Sequence, residues 1–160
     1  MNEPEDRDPG LIEIRGCLFP KRLAYDVQNH IWYERLNSGS VRVGMTCVGA
    51  ALASFRIFAV TPRRVGREFD AGTSIATIES SKWVGPARVA FNGVVEAVND
   101  AVIENPSWLA EDPYGRGWIL IARPRASNAL DHLVHGDDIE RTYLDWMNEN
   151  DFPGCDRSSE

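Results

Sequence analysis

Lys82 is one of two lysines in a chain that otherwise takes its positive charge from arginine, the other being Lys21. It stands in Ile78-Glu79-Ser80-Ser81-Lys82-Trp83-Val84-Gly85-Pro86. An amine on a long flexible stem can be acylated by a modifying enzyme, which is chemistry that a guanidinium does not offer. On type and spacing alone, Lys82 is either a solvated turn lysine or a modification site.

The elements that must position it read as strands. Ser74-Ile75-Ala76-Thr77-Ile78 alternates apolar and small polar residues, and Val89, Phe91, Val94, Val95 and Val98 follow the lysine, with Gly93 marking a turn or bulge. Lys82 then sits at a hairpin tip. The pattern predicts strands at 31–34, 41–45, 55–60, 74–78, 85–90, 93–98 and 118–122. A short helix is expected over 46–54, capped by Thr46. Helical turns are expected at 100–105 and 107–109, ended by Pro106 and Pro113. A short helix is expected over 127–134. Residues 137–148 place Ile139, Tyr143, Leu144 and Met147 on one face behind an acidic first turn, which predicts an amphipathic helix. Many short strands with regular turns point to a mainly β sandwich or barrel.

Glu79-Ser80-Ser81-Lys82 resembles the E-S-x-K attachment motif of the glycine cleavage H proteins. Asn29-His30-Ile31-Trp32 resembles the segment containing H-E-W, and Val43-Gly44-Met45-Thr46 resembles V-G-I-T. Gly93 stands where the family has its S-G turn, and Glu96-Ala97-Val98-Asn99 resembles E-V-N. Glu111-Asp112-Pro113-Tyr114-Gly115-Arg116-Gly117-Trp118 resembles E-D-P-Y-G-x-G-W. The motifs run in family order from Leu18 to Asn150. The resemblance implies a lipoyl-domain barrel-sandwich hybrid with helices near 46–54 and at the C-terminal end. It implies that Lys82 bears lipoate as an amide, that Glu79, Ser80, Ser81 and Trp83 form the motif around it, and that the protein is a carrier with no catalytic residue of its own. The implied partners are a lipoate-attaching ligase or transferase and the enzymes that load and unload the arm.

Departures from the family bear on cargo. Glycine cleavage moves a cationic aminomethyl group, and the family places acids near the arm. Here those positions hold Ile31 and Pro86, which cannot pair with an ammonium. Arg56, Arg63, Arg64, Arg67 and Arg88 surround the arm in sequence and would favour an anionic cargo if they faced it. Glu79 through Pro86, with Gly16-Cys17-Leu18-Phe19-Pro20, resembles the lipoate-binding proteins of the sulfur-oxidising heterodisulfide reductase-like system. That resemblance implies sulfur intermediates exchanged with such a complex, in place of an aminomethyl group exchanged with glycine cleavage enzymes. A third reading is an unmodified docking module in which Lys82 stays free.

Other residues admit two readings each. His30 contacts a loaded arm or is a hydrogen-bonded structural histidine beside Trp32. Trp83 docks on a partner or folds back over the hairpin. Asp112-Pro113-Tyr114-Gly115 is a turn by its chemistry, and Trp108, Tyr114 and Trp118 read as architecture. Cys17 and Cys155 lie at the two ends of the domain and are inert or meet in space, since domain termini are often close. The second resemblance also includes a cysteine near each end, which implies a redox pair. Cys47 sits at a helix start that lowers a thiol pKa, whereas burial raises it.

Composition fits a small carrier. The 160 residues are 43% hydrophobic and 26% charged, enough for one cored domain, placed at 16–150 between a disordered tail at 1–15 and a C-terminal tail at 151–160. A net charge of −7 argues against nucleic acid. There is no apolar run long enough to insert in a membrane and no basic-then-apolar leader, so a cytoplasmic location is expected. Three cysteines without a C-x-x-C point away from a metal site.

Overall fold

The computed structural model describes residues 10–156. In chain order the strands and helices are β1 (Leu11–Ile14), β2 (Cys17–Pro20), β3 (Ala24–Asp26), β4 (Ile31–Arg35), β5 (Val41–Met45), α1 (Cys47–Leu52), β6 (Ile57–Pro62), β7 (Glu68–Phe69), β8 (Ser74–Ser80), β9 (Val84–Arg88), β10 (Gly93–Val98), α2 (Asp100–Glu104), α3 (Trp108–Glu111), β11 (Leu120–Pro124) and α4 (Asp138–Glu149). A six-stranded sheet runs β3-β4-β5-β11-β10-β7, a three-stranded sheet runs β6-β8-β9, and β1 and β2 form a separate hairpin. All pairings are antiparallel. The mainly β reading holds: short antiparallel strands dominate, with a few helices added.

Alternation builds the cores. Val41 and Val43 of β5 and Ala76 and Ile78 of β8 alternate inward, Ile75 is also buried beside the register shift between Ser74 and Ala76, and all pack with Val89, Val95, Tyr33, Val60 and Phe91 in one core. A second core joins the β1–β2 hairpin to α1 and α4 through Phe19, Tyr25, Trp32, Val48, Ile139, Tyr143 and Met147. Phe19 stacks on Tyr143 with ring centroids 4.2 Å apart. In α4 the buried residues recur every fourth position, whereas Leu144 lies off that stripe and is exposed.

Several expectations need correction. Residues 127–134, expected as a helix, form turns. Tyr25 and Val134 there share an isolated antiparallel bridge, so their backbones pair with each other. The strand expected over 55–60 begins at Ile57, because Ser54 and Phe55 both hold positive φ (55° and 58°). The tail expected at 1–15 contains β1, which pairs with β2 from Leu11↔Pro20 to Ile14↔Cys17; residues 1–9 lie outside the described residues. The tail expected at 151–160 is anchored at its start. Phe152 is buried, and the Cys155 amide donates to the Arg15 carbonyl at 2.9 Å. β1 and the segment from Phe152 to Cys155 are thus tied into the second core. No described helix is long and apolar enough to cross a membrane.

Candidate functional site

β8 and β9 pair through Glu79↔Val84, which leaves Ser80 to Trp83 as the connecting turn. Ser80 ties that turn. Its hydroxyl accepts from the Lys82 amide at 3.2 Å and the Trp83 amide at 3.1 Å, and donates to the Trp83 carbonyl at 2.9 Å. The Ser80 amide donates to the same carbonyl, and the Ser81 amide reaches back to the Arg56 carbonyl at 3.1 Å. Lys82 is exposed at the apex of this tied turn. Among the described residues it has no carboxylate partner, whereas Lys21 pairs with Asp137 at 3.7 Å. Glu79 and Ser81 are also exposed. Its backbone is therefore fixed and its amine is accessible.

Trp83 folds back. It is half-buried against the main core, and its indole N–H donates to the Leu52 carbonyl at 3.2 Å, at the end of α1. α1 in turn is positioned by Thr46, whose hydroxyl accepts from the Gly49 amide as the sequence predicts. The lysine turn is thus fastened to the short helix across the sheet.

Trp83, Gly85 and Pro86 form one side of a cleft of about 350 Å³; His30, Ile31, Met45 and Leu52 face them. His30, Ile31 and Pro86 line this same cleft. Met45, Leu52 and Ile78 also line the cleft, and nothing in their local sequence distinguishes them from ordinary core residues. Among the described residues no carboxylate lines it, and the one formal charge at its wall is Arg88, whose guanidinium also donates to the Gly72 carbonyl at 3.0 Å. Of the other arginines, Arg63, Arg64 and Arg67 line a different depression, beyond the end of β6 that lies away from the turn. They do not face the lysine. A depression of about 410 Å³ between Tyr25 and Trp146 has neither lysine nor cysteine in its wall.

His30 is a neutral wall residue. Its backbone holds a positive φ of 59°, entered through a turn in which Asn29 bonds twice to the Asp26 carboxylate. Its ring meets Trp146 edge-on at 4.6 Å, and its Nδ1 has no hydrogen-bond partner. Burial lowers its pKa from the usual 6.5 to about 4, against the opposing pull of Asp26.

The E-D-P-Y-G segment is architecture. The Gly115 amide donates to the Asp112 carbonyl at 3.2 Å, closing the turn. The Pro113 carbonyl receives the Trp32 indole N–H at 3.0 Å. The Tyr114 hydroxyl donates to the Leu18 carbonyl at 2.6 Å and accepts from the Cys47 amide at 3.1 Å, which pins β2 to α1. Cys17 and Cys155 form a disulfide with Cα atoms 4.9 Å apart. Cys47 is a free thiol. Burial wins over the helix start and pushes it up to about 11, opposed by hydrogen bonds from Tyr114 and nearby backbone.

An accessible, unpaired lysine on a rigid turn beside an apolar cleft suits a covalently held arm, and the comparisons agree with that chemistry. The profile of the Glycine cleavage H-protein family matches residues 23–145. The chain is 36% identical over 138 residues to glycine cleavage system H protein 3 of Aquifex aeolicus, covering 83% of this chain and 85% of that protein. It is 43% identical over 110 residues to probable glycine cleavage system H protein 3 of Sulfolobus acidocaldarius, covering 68% and 74%. The crystal structure of a glycine cleavage system H protein from Mycobacterium marinum superposes with a TM-score of 0.67 at 27% identity, covering 84% of this chain and all of that one. The chain belongs to the glycine cleavage H-protein family, whose members are non-catalytic carriers holding lipoate covalently on a lysine.

Proposed function

We propose that this protein is a lipoyl carrier with Lys82 as its attachment residue. The observation that carries this reading is the turn itself: Ser80 fixes the backbone of Lys82 and Trp83, Lys82 is exposed, and its neighbour Trp83 lines the cleft. Bound lipoate supplies a dithiolane that opens to two thiols, one to carry an intermediate and one to close the ring again. The chain's own part is presentation. Glu79 and Ser81 offer an exposed recognition surface to a lipoate-attaching ligase or transferase. Trp83, Ile31, Met45 and Pro86 offer the arm an apolar wall. Tethering keeps the reactive group at high local concentration around each partner without tight docking.

The names of the relatives favour an aminomethyl cargo, carried between glycine decarboxylase and aminomethyltransferase. This displaces the sulfur branch as the leading reading, because the relatives reported above point to glycine cleavage. One observation keeps a second reading in play. Among the described residues the cleft wall has no carboxylate and includes Arg88, which suits an anionic sulfur intermediate exchanged with a heterodisulfide reductase-like complex better than an ammonium.

Co-expression with a lipoate-attaching enzyme, followed by intact mass, tests the attachment. One lipoyl mass is expected on the parent and none on Lys82→Arg; a lipoyl mass on the arginine variant would move the site elsewhere. The lipoylated protein is then assayed with glycine decarboxylase. Turnover comparable to that of an established H protein supports the aminomethyl cargo. Turnover lower by orders of magnitude, with uptake of sulfur by the reduced arm, supports the second reading.

A further inference from the structure

Three cysteines far apart in sequence meet in the second core. Cys17 comes from β2, Cys47 from the first turn of α1, and Cys155 from the segment after α4. Their three Sγ atoms lie within 4.8 Å of one another, and all three residues are buried or half-buried. A disulfide needs two of them. The third is held against the bond: Cys155 Sγ stands 3.7 Å from the Cys47 carbonyl, and Cys47 Sγ is 3.2 Å from the Leu18 carbonyl and 3.4 Å from the Tyr114 hydroxyl.

Contacts besides the S–S bond also hold this grouping. Cys17 is fixed by its pairing with Ile14 in the β1–β2 hairpin. Cys155 is fixed by its amide bond to the Arg15 carbonyl. Arg15 reaches on to the Phe152 carbonyl at 2.8 Å and to Asn148 at 2.5 Å, closing the C-terminal segment onto the hairpin. Gly154 makes that approach possible, since a Cβ there would collide with the Arg15 carbonyl at a φ of +130°.

We propose that Cys17, Cys47 and Cys155 form a redox-gated site for one soft, thiophilic divalent metal ion, closed while the disulfide exists and opened by its reduction. A dithiol reductant supplies two electrons and two protons. The Cys17–Cys155 bond becomes two thiols, and the reductant closes to its own disulfide. The ion then displaces three protons and binds three thiolates. Thiolates on one zinc-sized ion, with metal–sulfur bonds of ~2.3 Å, sit roughly 4 Å apart, and the three Sγ atoms here already lie within 4.8 Å of one another. The site does not depend on the lipoyl reading, because it lies with α1 and the chain ends and involves no atom of Lys82.

The test uses the full chain carrying Lys82→Arg, so that no arm dithiol competes. The protein is reduced with dithiothreitol, freed of it under argon and titrated with Co²⁺, then with Zn²⁺ against a chromophoric chelator. One equivalent of Co²⁺ is expected, with sulfur-to-cobalt charge-transfer absorption of three-thiolate intensity, displaced by Zn²⁺. The air-oxidised protein should show none of it. Zinc affinity should fall at least 100-fold in both Cys47→Ser and Cys155→Ala. Cobalt bound without charge-transfer absorption, no cobalt bound at all, or undiminished zinc affinity in either variant overturns the site. The cobalt spectrum of the parent decides the matter even if a variant does not fold.

Discussion

Two side chains near the arm make separable contributions. The Ser80 hydroxyl holds the amides on both sides of the Lys82 Cα. Ser80→Ala removes those anchors without touching the lysine. At about 1 kcal/mol per hydrogen bond, lipoylation kcat/KM should fall about fivefold or more, and Ser80→Thr should restore most of it. An attaching enzyme indifferent to Ser80→Ala would mean that the turn needs no tie to present the amine. His30 contributes a pH dependence. Its pKa is near 4 folded and 6.5 unfolded, so between those values the unfolded chain binds more protons. Stability contributed by neutral His30 is complete above pH 6.5 and is lost as pH falls toward 4, by about 3 kcal/mol at most. His30→Asn, which tolerates the positive φ, should flatten the pH dependence of the urea midpoint within that window. An unchanged slope would show that His30 is solvated.

At the scale of elements, the sequence motifs interlock physically. Trp32 of β4 lies directly opposite Gly44 of β5, and a Cβ on Gly44 would fall 2.5 Å from the indole ring. The same indole bonds to Pro113, so three motifs distant in sequence meet at one buried ring. Gly44→Ala should destabilise the fold by about 1–3 kcal/mol through overpacking, read as a shift in denaturant midpoint at constant slope. A neutral result would require Trp32 to move at little cost. This interlock explains what was legible. Residues 41–45 and 93–98 show alternation with clear boundaries and form strands with those bounds. Lys82 and its turn, with His30, Ile31 and Pro86, the last three of which line one cleft, were readable through the resemblance of their motifs and the departures from it. The 127–134 segment was not, since an apolar spacing that suits a helix there serves a bridge to Tyr25. Nor was β1, whose role depends on a partner strand and on Cys155 at the far end of the chain. The cysteine trio was hidden for the same reason: gaps of this length carry no ligand pattern.

The whole molecule is closed on itself by the Cys17–Cys155 bond, across a sequence separation of 138. On a chain-entropy account, a loop of that size removes about 5 kcal/mol of freedom from the unfolded state. Metal-free reduced protein should therefore unfold at a markedly lower denaturant concentration than oxidised protein. Equal midpoints would mean that the loop contributes nothing. The same closure makes the oxidised polypeptide a covalent ring from Cys17 to Cys155. A single proteolytic nick anywhere between the two cysteines opens that ring without dividing it, so the cut halves of the carrier stay covalently one molecule until a reductant parts them.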